Sequence, residues 1–167
     1  MSREFTRRQF VEIGTVAVLS LALPCGALAA GKKSVLVFTK SSGFEHDVVK
    51  LKDGKPSIVD EAITSLGQKY GFSVTASKDG TIFDSPDFHK YAAVVFFTTG
   101  DLTTGGTDKN PPMSRAGKQK LLDAIRGGTG FVGIHAASDT FHTPPDPQDN
   151  SNRYIAHGEQ SDPYLRM

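Results

Sequence analysis

The sequence predicts an α/β fold with a doubly wound parallel sheet, and three observations predict it. Short apolar, β-branched runs recur along the chain, stretches of helical periodicity separate them, and glycine or proline marks most junctions. Strands joined through helices pair in parallel with right-handed crossovers. No internal repeat or charge block suggests a second kind of architecture.

The elements follow in order. Ser34-Val35-Leu36-Val37-Phe38-Thr39 has the uninterrupted apolar character of a strand covered on both faces. After a loop from Lys40 to Pro56, Ser57 is placed to cap a helix whose Ile58, Ala62, Ile63, Leu66 and Tyr70 recur at helical spacing until Gly71 stops it. Phe72 to Ala76 reads as the second strand. Pro86 to Tyr91 reads as a turn of helix, and Ala92 to Thr98, centred on Val94-Val95-Phe96-Phe97, as the third strand. A second helix runs from about Ser114 to Arg126, with Pro111-Pro112 before it, Leu121, Leu122 and Ile125 on its face, and Gly127-Gly128 after it. Phe131 to Ile134 forms the fourth strand, suited to a sheet interior. Four strands leave at least one edge exposed. Thr143 to Met167, with Pro144, Pro145, Pro147 and Pro163 among polar residues, reads as a long surface loop.

The amino terminus is an address label. Thr6-Arg7-Arg8-Gln9-Phe10-Val11 is a twin-arginine motif, followed by an apolar stretch to Leu23 and by Ala27-Leu28-Ala29, a small-x-small cleavage signal. The apolar stretch falls short of the roughly 20 residues that a spanning helix needs. Residues 1–29 are therefore a signal peptide and 30–167 the domain, which is expected in the periplasm or outside the cell and meets a membrane only during export. Cys25 raises the question of a lipid anchor, but Pro24 is a poor fit to the small residue such a cleavage site prefers.

Removing that segment sharpens the composition. Cys25 is the single cysteine, so the mature chain has neither a disulfide nor a thiol nucleophile. With Arg3, Arg7, Arg8, Glu4 and Glu12 gone, the net charge falls from +1 to zero. A neutral surface with no basic stripe gives no reason to expect nucleic acid or an anionic membrane as partner.

The most informative run is Gly130-Phe131-Val132-Gly133-Ile134-His135-Ala136-Ala137-Ser138-Asp139. It climbs through small residues to a histidine with a carboxylate four positions later. Ligands of open α/β sheets bind outside the carboxyl ends of the strands, where His135 would be presented. Three loops converge at that edge: Ser41 to Asp47, Thr98 to Leu102 and His135 to His142. His46, Asp101, His135, Asp139 and His142 supply groups suited to proton transfer, because an imidazole titrates near neutral pH and a carboxylate can orient it. Each has a structural alternative. His135 satisfies backbone carbonyls at a tight turn, His46 or Asp47 caps the following chain, Asp101 forms an Asx-turn, and Asp139 caps a helix starting at Thr140. His89 and His157 read as surface residues. A metal held by His46, His135 and Asp139 is a third reading, although ligands from separate loops define no geometry.

Val35 to His46, Tyr91 to Asp101 and Gly127 to Thr140 resemble, in order and spacing, the trehalose-utilisation, ThuA-like family, over residues 33 to 142. The resemblance implies the flavodoxin-like fold of class I glutamine amidotransferases, with His135 at the elbow where those enzymes present a cysteine. Thiolate chemistry on glutamine is excluded, since the elbow and the mature chain both lack the thiol. It also implies a carbohydrate substrate, such as a disaccharide or keto-sugar. In that reading His135 is the acid/base, Asp139, Asp101 or His46 assists, and Gly43, Phe44, Gly100, Asp101 and His142 contact the sugar. Gly43, Gly100 and Gly133 would let backbone approach the ligand. No Gly-x-Gly-x-x-Gly turn leads from a strand into a helix, since Gly128 to Gly133 has the spacing but runs into the fourth strand, so no resident cofactor is expected and any redox step would draw its nicotinamide from a partner dehydrogenase. A non-catalytic sugar-binding or scaffolding module is the alternative. Family members usually continue past a segment like Asp162 to Met167 into a glycine-rich strand bearing a phenylalanine and a histidine. The expectation is that the fold is incomplete on that side and that the chain alone is poorly stable.

Overall fold

Among the described residues, four parallel strands carry the structure: β1 (Ser34–Phe38), β2 (Ser73–Ser77), β3 (Tyr91–Phe96) and β4 (Gly130–Gly133). Their order is β2-β1-β3-β4, with Val35 beside Val74, Leu36 beside Val94, and Val94 beside Phe131. This is the flavodoxin-like order, and its switch point lies between β1 and β3. The computed structural model describes residues 31–141 and 162–167. Every described element lies in one compact unit, Lys32–Met167. The segment read as an export signal, most of the segment read as a surface tail, and both His142 and His157 lie outside the described residues.

Helix α1 (Ile58–Tyr70) begins at Ser57, whose hydroxyl accepts from the Asp60 amide while the Asp60 carboxylate accepts from the Ser57 amide. It ends at Gly71, in the left-handed region at φ 80. The apolar stripe expected to bury this helix does not do so: Ile58, Leu66 and Tyr70 are exposed. The helix instead packs on β2 through the face that carries Asp60, Ile63 and Gly67. A Cβ on Gly67 would stand 2.8 Å from the Phe72 carbonyl oxygen and 2.9 Å from a Val74 methyl. Backbone proximity, rather than side-chain size, selects that face.

Helix α2 (Arg115–Arg126) starts where the sequence places it, with the Ser114 hydroxyl accepting from the Gly117 amide at 2.8 Å. Its Leu121 and Leu122 enter the core. That core lies on one face of the sheet, where Leu36, Phe38, Val94, Phe96 and Phe131 meet Phe83, Phe88, Met113 and the α2 leucines. Phe38 and Phe83 pack edge to face at 4.8 Å, an arrangement worth about 0.5–1.5 kcal/mol beyond the area it buries. Phe83 and Phe88 sit on two 3-10 turns, Gly80–Asp84 and Pro86–Lys90.

Two expectations need correction. The fourth strand is an edge within the described residues, pairing only with β3, so Val132 is about half exposed rather than interior. At the end of the tail, Pro163–Arg166 forms a 3-10 turn that buries Tyr164 against Phe131 and Phe141. The Tyr164 hydroxyl donates to the Ala137 carbonyl at 2.9 Å, and burial pushes its pKa up. A flat aromatic body with one polar tip explains why a proline-rich segment supplies a core residue. Among the described residues, no helix is long and apolar enough to cross a membrane.

Candidate functional site

Backbone hydrogen bonds knit three loops together above the carboxyl ends of β1, β3 and β4. The Ser42 amide donates to the Thr99 carbonyl at 2.8 Å, and the Thr99 hydroxyl to the Phe44 carbonyl at 2.7 Å. The Gly100 amide donates to the Asp139 carbonyl at 2.7 Å, and the Phe141 amide returns to the Gly100 carbonyl. Beneath them the Thr98 and Thr140 hydroxyls share a hydrogen bond of 2.7 Å. Gly100 is at φ 72, and a Cβ there would stand 2.7 Å from the Gly43 nitrogen. The Ser42–Gly43 backbone therefore takes the place that a side chain at position 100 would need. Gly133 faces Ala137 instead.

This scaffold brings His46 and His135 together. Their rings meet edge to face with centroids 4.7 Å apart. Phe97 lies beneath both, at 5.5 Å from His135 and 5.9 Å from His46, and Phe44 packs on His46 at 5.0 Å. His46 stands at the start of a 3-10 turn, Asp47–Val49, but its side chain makes no capping bond. Asp47 instead pairs with Lys50 at 2.7 Å, which lowers the Asp47 pKa and raises that of Lys50. His135 opens a second 3-10 turn, His135–Asp139, and adopts φ 51, a left-handed conformation uncommon outside glycine, although histidine enters it more often than most side chains. On its other side, His135 borders a largely apolar cavity of about 450 Å3 that Phe131 and Tyr164 also line.

The carboxylates fare differently. Asp101 is exposed, and its Oδ1 accepts from both the amide and the hydroxyl of Thr103, the Asx-turn considered above. Asp139 does not cap a helix from Thr140, because it ends the turn that His135 begins and Thr140 is extended. Among the described residues no group of three or more His, Cys, Asp or Glu is placed to hold one metal ion.

Sequence reasoning missed a buried ionic floor on the β1 and β2 side. The Lys40 ammonium, wholly buried, lies 3.2 Å from Asp108 Oδ1 and donates to the Asn110 carbonyl at 2.7 Å. Lys78 donates to the Thr39 carbonyl at 2.8 Å and lies 3.1 Å from Glu45 Oε1. Burial pushes the Asp108 carboxyl up, but the amides of Ser41 and Asn110 and the Lys40 ammonium outweigh it and hold the group below the usual carboxylate range. Glu45 thus anchors the loop from below while its neighbours Phe44 and His46 stand with the second histidine. A lysine immediately after a strand was the available signal. Phe97, expected at the centre of the third strand, instead stands just past its end and against both histidines.

Comparison with curated proteins and with solved structures finds no match. The family model for ThuA, described as trehalose utilisation, matches residues 34–148, from the first strand through the histidine turn. That span covers more than half of the chain and all three loops that build the site, so the chain belongs to the ThuA family.

Proposed function

We propose that this chain acts on a sugar of the trehalose class by acid/base chemistry at the His46–His135 pair. The observation that carries the reading is the 4.7 Å meeting of two imidazoles from separate loops, one of them held in a left-handed backbone. Strained non-glycine residues persist where surrounding structure over-determines them, and such positions cluster at functional sites. Two imidazoles in contact can divide the work: one withdraws a proton from the substrate while the other returns one, leaving the charge of the pair unchanged. Phe44, 72% exposed beside His46, offers an aromatic face for the C–H side of a sugar ring. Membership of a family named for trehalose utilisation supports the substrate class.

The experiment is turnover and equilibrium binding of trehalose and its keto-sugar derivatives by wild type and His135→Ala. Loss of turnover with sugar binding retained is the expected result. The exposed Phe44 also favours a second reading, a non-catalytic sugar-binding module; sugar binding without turnover by the wild-type protein would establish it.

The reading includes export, supported by Thr6-Arg7-Arg8-Gln9-Phe10 and Ala27-Leu28-Ala29. Mass spectrometry of the protein from fractionated cells should find chains starting at Ala30 outside the cytoplasm. Uncleaved cytoplasmic chains would contradict it.

A further inference from the structure

We propose that the groove over the carboxyl ends of β1 and β2 is a second ligand site, which takes a polyhydroxylated small molecule carrying one anionic group. It is separate from the histidine pair. Two cavities of about 310 and 330 Å3 form it, and they share Leu51, Lys78 and Asn110.

The larger lobe is built for hydroxyls. Thr39 and Asp60 line it, each less than one-twentieth exposed, and each carries a buried oxygen, Thr39 Oγ1 and Asp60 Oδ1, with no hydrogen-bond partner among the described residues. Native proteins rarely leave such atoms unpaired, because an unsatisfied buried polar group costs about 1–3 kcal/mol. Asp60 Oδ2 is already taken by the Ser57 amide and hydroxyl, so Oδ1 remains the acceptor. A carboxylate oxygen and a hydroxyl lining one lobe suit the O–H groups of a polyol. A metal cation is disfavoured there, because Lys55 lines the same lobe and, among the described residues, no third ligating side chain joins Asp60 and Asp79.

The smaller lobe is built for an anion. In its floor the Lys40 and Lys78 charges are balanced by Asp108 and Glu45. Above that neutral floor stand the exposed Lys52 and Lys109, while Lys50 is already paired with Asp47. Lys52 is held by a two-residue turn in which Asp53 (φ 55) and Gly54 (φ 71) are both left-handed and the Lys55 amide donates to the Lys52 carbonyl at 2.9 Å. That turn sends Lys52 to the anion lobe and Lys55 to the hydroxyl lobe.

Calorimetric titration of the full chain with glucose 6-phosphate, gluconate, glucose and inorganic phosphate tests the proposal. At least one of the two charged sugars should bind about tenfold or more tightly than glucose and phosphate; which of them does so identifies the anion as phosphate or carboxylate. Lys52→Glu with Lys109→Glu should weaken that binding at least about tenfold and reduce its salt dependence. Thr39→Val should weaken it about fivefold without lowering the melting temperature, since the hydroxyl it removes bonds to nothing else among the described residues. Phosphate or glucose binding as tightly as the charged sugars would overturn the proposal, as would unchanged affinity in Thr39→Val, or no saturable binding by any of the four.

Discussion

His135 keeps its left-handed backbone at a cost of about 1–2 kcal/mol that a glycine would not incur. What holds it there is the Ile134 amide bonded to the Phe96 carbonyl on one side and the buried Ala137 on the other. His135→Gly should therefore be more stable than His135→Ala by about 1 kcal/mol in urea unfolding, with both lacking the imidazole. Equal stabilities would mean that the turn relaxes when the histidine leaves. Asp108 makes the opposite kind of contribution. Its folded pKa lies below the unfolded value of about 3.9, so the stability it supplies is present above that value and is lost as pH falls through the folded one. At neutral pH Asp108→Asn strands the buried Lys40 charge and should cost about 3 kcal/mol. The gap between variant and wild type should narrow as the pH falls below about 4, and a gap that is constant with pH would contradict the assignment.

At the scale of elements, backbone approach decides what apolar patterning does not. A Gly67→Ala change gains about 1 kcal/mol of helix propensity, yet its Cβ would press on the Phe72 carbonyl, and we expect net destabilisation and a lower melting temperature. A higher melting temperature would show that α1 can lift from β2 without loss. The same contact explains what was legible in the sequence. Ser57, Gly71, Ser114 and the strand runs are local signals, written in capping chemistry and β-branching, and each element appears within a residue or two of its expected place. Which side of α1 faces inward depends on Gly67 meeting β2, a contact that no periodicity in the helix records. The site divides the same way. Its histidines and the three convergent loops were readable from their place after strands, whereas Asp108 sits in a glycine-rich loop, Gly105-Gly106-Thr107-Asp108, that reads as solvated. Its burial depends on Lys40, 68 residues earlier. Tyr164 escaped notice for a similar reason, since its prolines mark a turn but say nothing of what the tyrosine packs against.

At the scale of the molecule, the parallel order β2-β1-β3-β4 fixes where chemistry can occur. The loop after β1 and the loop after β3 leave the sheet at the switch point, and the turn after β4 reaches back to them through Gly100 and Thr140. One edge thereby holds the histidine pair, with the cavity bordered by Tyr164 on its far side and the lysine-walled groove beside the β1 loop. The central claim is that His46 and His135 work as one unit on a sugar of the trehalose class. A double-mutant cycle on kcat/KM tests it most directly, with His46→Ala, His135→Ala and the pair compared on the same substrate. Each single change should cost about 10²–10⁴-fold, and the double change little more than the worse single, because residues that act as a unit lose their contribution together. Two losses that simply multiply, or a His46→Ala variant as active as wild type, would contradict the account.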